Sequence, residues 1–295
     1  MANTGTGKAI PEIAIIIPHY NDVVRLERCL AALQENDLSG CELLVVDNGS
    51  TQPLGEIQAR FPDIRFITET EKGAAAARNR GVCETSAPQL MFIDADCVAA
   101  PDWVRVGRAV ANRADLIGGR VEVFDETPPP RSGAEAFETV FAFDFRQYIE
   151  VQGFSGTGNL ITRRDVFEDV GPFRGGVSED TDWSFRATAK GYRLIYEDGL
   201  RVGHPSRQDW AALRGKWRRL TKEQFGLKVH SPKTRLFWVL KALAMPASIL
   251  VHLFRVLTSP KLSGLPDRLR AAGTLIRLRL LRMVWMLRQA MGLDI

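Results

Sequence analysis

Two pairs of carboxylates in this 295-residue chain have the type and spacing to do chemistry. They are Asp94 and Asp96, closing the run L-M-F-I-D-A-D-C, and Glu179 and Asp180, inside S-E-D-T-D-W. In the first, four large apolar residues stop abruptly at the acids, and a short apolar run bounded by polar residues reads as a buried strand. Side chains alternate along a strand, so Asp94 and Asp96 are expected on one side as it runs out. Carboxylates so close repel each other, and burying either one unpaired is costly. A hard divalent cation resolves the conflict, because Mg²⁺ or Mn²⁺ prefers carboxylate oxygens and leaves positions open for phosphates. The competing assignment is a turn and helix cap ahead of Pro101-Asp102-Trp103. Glu179 and Asp180 suit the start of a helix, where anions complement the macrodipole.

Elements in regular alternation must position these acids. Ile13–Ile17 reads as a strand ending in Pro18-His19-Tyr20-Asn21, and Asp22 caps a helix with Val23, Leu26, Leu30 and Leu33 at helical spacing. A second strand, Glu42–Val46, ends in Asp47-Asn48-Gly49-Ser50; a short helix through Ile57 and a third strand, Ile64–Thr68, follow. Gly73 introduces a small-residue helix carrying Arg78 and Asn79, ahead of the strand that ends at Asp94. Such alternation predicts βαβ units and a parallel sheet, with ligands beyond the carboxyl ends of its strands. After Pro101 the pattern loosens. Leu116–Val123 reads as a strand, Pro128-Pro129-Pro130 as a break, and Ala134–Tyr148 as a helix carrying Phe137, Phe141, Phe143 and Phe145. Gly156-Thr157-Gly158-Asn159 opens a strand over Leu160–Thr162, Asp165 caps a short helix ending at Gly171, and Leu194–Tyr196 is a further strand.

Composition is that of a globular chain long enough for one large domain plus an appendage. Cys29, Cys41, Cys83 and Cys97 lack any zinc-like spacing and read as reduced thiols of a cytosolic protein. Residues 1–11 read as a loose lead-in without the apolar core of a secretory signal; the G-T-G-K at Gly5–Lys8 lacks the preceding strand and glycine of a phosphate loop. The net charge of +4 hides a division: residues 1–204 carry 21 Lys/Arg against 31 Asp/Glu, and residues 205–295 carry 18 against 4. A basic part of +14 calls for an anionic partner.

The segments I-I-I-P-H-Y-N-D, V-V-D-N-G-S, G-A-A-A-A-R-N-R-G, F-I-D-A-D, G-T-G-N-L-I-T-R-R and S-E-D-T-D-W follow in order between Ile13 and His204. Together they resemble the successive signatures of the family 2 inverting glycosyltransferases. That resemblance implies an α/β, Rossmann-like A-type glycosyltransferase fold, with a mostly parallel sheet flanked by helices, and a metal-assisted single displacement from a nucleotide-sugar. It implies that Pro18, Tyr20 and Asp47 hold the base and that Arg78 reaches the nucleotide. Asp94 would orient the ribose and a water beside the metal, Asp96 would ligate the metal, and His204 would add a metal or phosphate contact. Asp180 would be the base, with Glu179, Trp183, Gly158 and Asn159 around the acceptor. The Q-x-x-R-W signature of polymerising members is missing, Lys216-Trp217-Arg218-Arg219 matching it only superficially, which implies transfer of one sugar rather than processive synthesis, in cell-surface polysaccharide or glycolipid assembly. The alternatives are a binding protein that keeps the nucleotide pocket without turnover, and a sugar nucleotidyltransferase. The latter would carry a Gly-rich, basic loop where this chain has P-H-Y-N-D.

The expected organisation is a catalytic domain over residues 12–226, with a nucleotide-sugar half (12–123) and an acceptor half (124–226), then a basic, apolar helical extension over 227–295. In that extension the longest run free of charged residues, Ala242–Phe254, is short for a bilayer span. Leu269–Leu293 sets five arginines among Leu, Met and Trp285. The expectation is docking on an anionic membrane surface at its cytoplasmic side, where basic side chains snorkel and Trp anchors. A lipid-linked acceptor would suit such a position. Nucleic acid is not expected as a partner, because bulky aliphatics rather than Gly, Ser or exposed aromatics separate the arginines.

Overall fold

The computed structural model describes residues 11–229 and 231–295, so the lead-in reading and its G-T-G-K segment fall, Pro11 apart, outside the described residues. The expected alternation is present through the first hundred residues: β1 (Ile13–His19), α1 (Val23–Gln34), β2 (Cys41–Asp47), α2 (Gly55–Arg60), β3 (Arg65–Thr68), α3 (Ala74–Cys83), β4 (Gln89–Ile93), β5 (Val98–Ala99) and α4 (Trp103–Val110). Asp22 caps α1 through Arg25 N, and Leu26, Leu30 and Leu33 are buried as their spacing predicts. There follow β6 (Leu116–Phe124), α5 (Gly133–Phe141), α6 (Phe145–Glu150), β7 (Asn159–Arg163), α7 (Arg164–Val170), α8 (Glu179–Ala189) and β8 (Leu194–Pro205). The chain continues through α9 (Trp210–Lys228), α10 (Pro232–Leu243), α11 (Met245–Thr258) and α12 (Gly264–Ala290).

The eight strands form one sheet in the order β3-β2-β1-β4-β7-β6-β8-β5. β3, β2, β1 and β4 are parallel, whereas β7 joins β4 and β6 antiparallel, and β5 joins β8 antiparallel, so the sheet is mixed. Strands buried on both faces explain the uninterrupted apolar runs of β1 and β4. One side of the sheet is closed by a core that includes Ile16, Val46, Phe92, Phe167, Phe173 and Trp183.

Four local expectations are corrected. β4 stops at Ile93, and Asp94–Cys97 is a turn closed by Cys97 N–H donating to Asp94 O at 2.9 Å, so strand alternation does not place the two acids. The single helix expected over Ala134–Tyr148 is two, α5 and α6, broken where Phe143 adopts φ +56°, a conformation that ends a helix. Asp165 does not cap α7; Arg163 holds the cap position, and Asp165 in the first turn pairs with its guanidinium at 3.0 Å. β8 runs twelve residues, well beyond Tyr196.

The described residues divide into two compact units. The first comprises the chain up to Val121, Phe145–Gly175 and Glu179–Gly203; the second comprises Glu122–Asp144, Gly176–Ser178 and His204–Ile295. In the second, α5 packs against α12 and α9, and Ala136, Phe137 and Val140 share a core with Leu213, Val256, Leu275 and Leu278. α11 and α12, after residue 226, pack with α5 and α9 in this unit.

Candidate active site

The loops after β1 and β2 are built around one carboxylate. Asp22 N–H donates to His19 Nε2 at 3.2 Å, so that nitrogen accepts and the proton sits on Nδ1, which donates to Asp47 Oδ1 at 3.1 Å. Asp47 also accepts from the Ser50 hydroxyl at 2.5 Å and from Ser50 N–H at 3.1 Å. Three of its roughly four acceptor positions are thus taken within the protein. Asn21, at φ +50°, accepts from Thr51 N–H at 2.8 Å and locks the two loops together. The Tyr20 ring beside this cluster is 55% exposed, with Lys72 Nζ 5.0 Å from its centroid, and so offers an open stacking face. Pro18 is the penultimate residue of β1, half-buried.

The acids meet at Arg78. This residue projects from α3, is 4% exposed, and hydrogen-bonds Asp94 Oδ1 at 2.6 Å through Nη2 and Glu179 Oε1 at 2.9 Å through Nη1. Burial opposes its charge, but Asp94 and Glu179 more than offset this, so its pKa rises. Both terminal nitrogens of the guanidinium are used in a bridge between the turn after β4 and α8. One acid of each pair, Asp94 and Glu179, is tied in this way. Asp180 Oδ1 accepts from Thr181 N–H at 2.7 Å in the first turn of α8.

The loop before β7 lies against both acids. A Cβ on Gly158 would stand 2.9 Å from Asp94 Oδ2, and one on Gly156 would stand 3.5 Å from Asp180 Oδ2. Absence of side chains is what lets this backbone approach. Asn159 and Trp183 are held inside the protein. Asn159 is fully buried: its amide donates to Arg120 O at 3.0 Å and Leu200 O at 2.8 Å, and its oxygen accepts from Trp103 Nε1–H at 2.9 Å. Trp183 is also fully buried, packed on Phe167 with centroids 5.7 Å apart and donating to Gly171 O at 2.9 Å. Its spacing to Ala187 on the core side of α8 was the signal for that placement.

Two observations bear on a metal. Asp96 is half-buried in the turn after β4, where burial, then Asp96 and Asp94, push the Cys97 thiol well up, so it stays protonated. In the second unit, His204 Nδ1 lies 2.8 Å from Pro205 O; a carbonyl only accepts, so Nδ1 carries a proton, and in the neutral ring Nε2 would be the nitrogen able to ligate. Along the sheet, Val98 pairs with Gly203, and His204 is the next residue of β8. Carboxylate oxygens fit Mg²⁺ or Mn²⁺, whereas an imidazole nitrogen is a poor ligand for the harder Mg²⁺. Sequence reading missed His19, Asn21 and Lys72; for His19 the signal is the β1–β2 register, which sets it opposite Asp47.

The sequence model described as Glycosyl transferase family 2 matches residues 14–171. Glycosyltransferase AglE of Haloferax volcanii is 34% identical over 209 residues, 67% of this chain and 68% of that protein. The pre-mycofactocin glycosyltransferase of Mycobacterium tuberculosis is 25% identical over 70% of this chain, which spans only 46% of its length. Among solved structures, the mannosyltransferase PcManGT from Pyrobaculum calidifontis, in complex with GDP-Man and Mn²⁺, aligns over 96% of this chain and 76% of its own with TM-score 0.51 and 16% identity. Residues 1–349 of S. aureus TarS, in complex with UDP-GlcNAc, align over 96% and 92% with TM-score 0.54 and 14% identity. At these identities the structural likeness speaks for the fold alone.

Proposed function

The chain belongs to glycosyltransferase family 2 and is a glycosyltransferase, and from that premise we propose that it transfers one sugar, with inversion, from a nucleotide-sugar to an acceptor hydroxyl. The sugar nucleotidyltransferase alternative falls with the family. The observation that carries the reading is the bridge made by Arg78, which draws Asp94 and Glu179, and with them the neighbouring Asp96 and Asp180, to one site. The acceptor oxygen attacks the anomeric carbon opposite the diphosphate, and Asp180 takes the hydroxyl proton. The anomeric C–O bond to the diphosphate breaks, and its electron pair leaves on the nucleoside diphosphate. A single displacement needs one base and no covalent intermediate. Asp96, with Asp94 beside it, would hold Mg²⁺ or Mn²⁺, which when bound would neutralise the charge developing on the diphosphate; the family resemblance assigns His204 a further metal or phosphate contact. The open Tyr20 face and the remaining acceptor position of Asp47 suit a nucleobase. Such a donor and cation are of the kind held by two solved structures of the same fold, GDP-Man with Mn²⁺ in one and UDP-GlcNAc in the other.

The partner of the second unit, on this reading, is an anionic membrane surface at its cytoplasmic side, and the acceptor is lipid-linked. Among the described residues no single helix is long and apolar enough to cross a membrane, while α10 and α11 pass that test only together and are bent by 51°. Leu236, Phe237, Leu240 and Leu243 on α10, and Leu250, Val251, Phe254 and Leu257 on α11, are exposed. An apolar face amid a net charge of +14 matches an anionic bilayer rather than a second apolar protein.

The test is a screen of nucleotide-sugars for hydrolysis by the purified chain with and without Mn²⁺. Metal-dependent release of nucleoside diphosphate is expected from one donor, and Asp96→Asn is expected to abolish it. Parental, metal-dependent hydrolysis by Asp96→Asn would remove that residue from the metal site.

A further inference from the structure

The second unit buries positive charge without a counter-charge. Arg282 of α12 is 6% exposed, its guanidinium 4.3 Å from the centre of the Trp217 ring, and its Nε–H has no acceptor. Among the described residues it makes no hydrogen bond or ion pair. Arg279, one turn earlier, has only the sulfur of Met245 at 3.6 Å. Lys241, in the last turn of α10, lies 5.7 Å from the Trp238 ring, and Trp238, Ala242, Met245 and Met286 pack in one cluster that brings α10 and α12 together. Trp217 Nε1–H and Trp238 Nε1–H are buried and also lack acceptors. The unmet groups are therefore mostly donors and cations.

Burial lowers the pKa of Arg282, with Arg279 adding to it, and burial lowers that of Lys241, with Lys228, Arg282 and Arg279 adding; no carboxylate opposes either shift. Arginine nonetheless keeps its proton. A buried charge without a partner is among the more destabilising features a fold can hold, and an apolar residue of similar length would usually serve stability better. Retaining Arg282 buried, with the half-buried Arg279 and Lys241 and two unsatisfied indole N–H groups in the same unit, makes sense where an anion comes from outside the chain. An anion with several acceptor oxygens in a compact head is the chemistry that answers this set of donors.

We propose that Lys241, Arg279 and Arg282 form a binding site for a phosphate group, and that the head of an anionic lipid supplies it. The site itself stands apart from the catalytic reading; only the lipid source of the phosphate rests on the membrane reading above, where the exposed apolar residues of α10 and α11 would receive the acyl chains of the same molecule.

The experiment follows the thermal melting of the full chain with three additives at matched ionic strength: sodium chloride, inorganic phosphate, and dihexanoyl phosphatidate kept below its micelle concentration. A rise of roughly 5 °C over chloride is expected with phosphatidate at a hundredfold excess over its Kd. The rise should be lost in Arg282→Met and at least halved in Lys241→Met, which carries the test if the first variant fails to fold. Exposed Lys233→Gln should keep it. An equal rise with inorganic phosphate, lost in the same variants, supports the phosphate site and overturns its lipid source. No rise with either phosphate compound, or a rise that Arg282→Met and Lys241→Met retain in full, overturns the site. Donor hydrolysis measured on the same samples keeps a failure here separate from a failure of the catalytic reading.

Discussion

At the scale of single residues, the site turns on which carboxylate of each pair Arg78 holds. If Asp180 is the base, Asp180→Asn should leave donor affinity nearly unchanged and reduce kcat by about 10²–10⁴, since the proton moves only in the transition state. Steady-state kinetics with a competent acceptor check this. A variant that loses acceptor turnover through Glu179→Gln while Asp180→Asn stays active would exchange the two roles. Arg78→Met should act differently: it leaves Asp94 and Glu179 facing each other without their shared cation. Breaking a fully buried ion pair costs about 3–5 kcal/mol. Both carboxylates retain some solvent contact, with side-chain exposures of 33% and 25%, so a loss nearer about 2 kcal/mol is expected in denaturant melts. An Arg78→Met protein of parental stability would show the bridge to be ornamental.

At the scale of elements, the loop leading into β7 does the positioning. Gly158→Ala would put a methyl 2.9 Å from Asp94 Oδ2, and the carboxylate end is the part that can yield. The fold should persist, and metal-dependent donor affinity should fall by roughly tenfold, about 1.4 kcal/mol, in calorimetric titration; unchanged affinity would mean the position of Asp94 is immaterial. The same loop shows what a linear reading can and cannot reach. The apolar runs of β1, β2 and β4 and the α1 periodicity are local, and they were legible because burial on both faces of a sheet dictates composition. The acids, Tyr20 and the glycines were legible as types. Their partners were not: the Arg78–Glu179 contact spans 101 positions and the Arg78–Asp94 contact only 16, and nothing local distinguishes them from a guanidinium aimed at a ligand. The full burial of Trp183 and Asn159 was not legible either, because proximity in sequence to an acid says little about which side of an element a side chain takes.

At the scale of the whole molecule, charge and apolar exposure are separated along the chain, and the membrane proposal rests on both. Each Lys or Arg near an anionic bilayer contributes roughly 1 kcal/mol, decaying within a Debye length of about 8 Å at physiological salt. The chain should float with vesicles rich in anionic lipid and far less with neutral ones. Leu250→Glu with Phe254→Glu, two exposed positions, should abolish flotation without lowering the melting temperature. A chain that stays at the bottom of the gradient with every lipid mixture removes the membrane from the account. The packing of α5 on α12 has a further consequence, in time rather than in energy. The ribosome finishes α5 roughly 130 residues before it makes the part of α12 that covers Phe137 and Val140. At about 5–20 residues per second, that leaves an apolar helix waiting some 7–26 s for the last segment of its own core. Throughout that interval the nascent chain offers chaperones, or other nascent chains, a surface that the finished protein never displays.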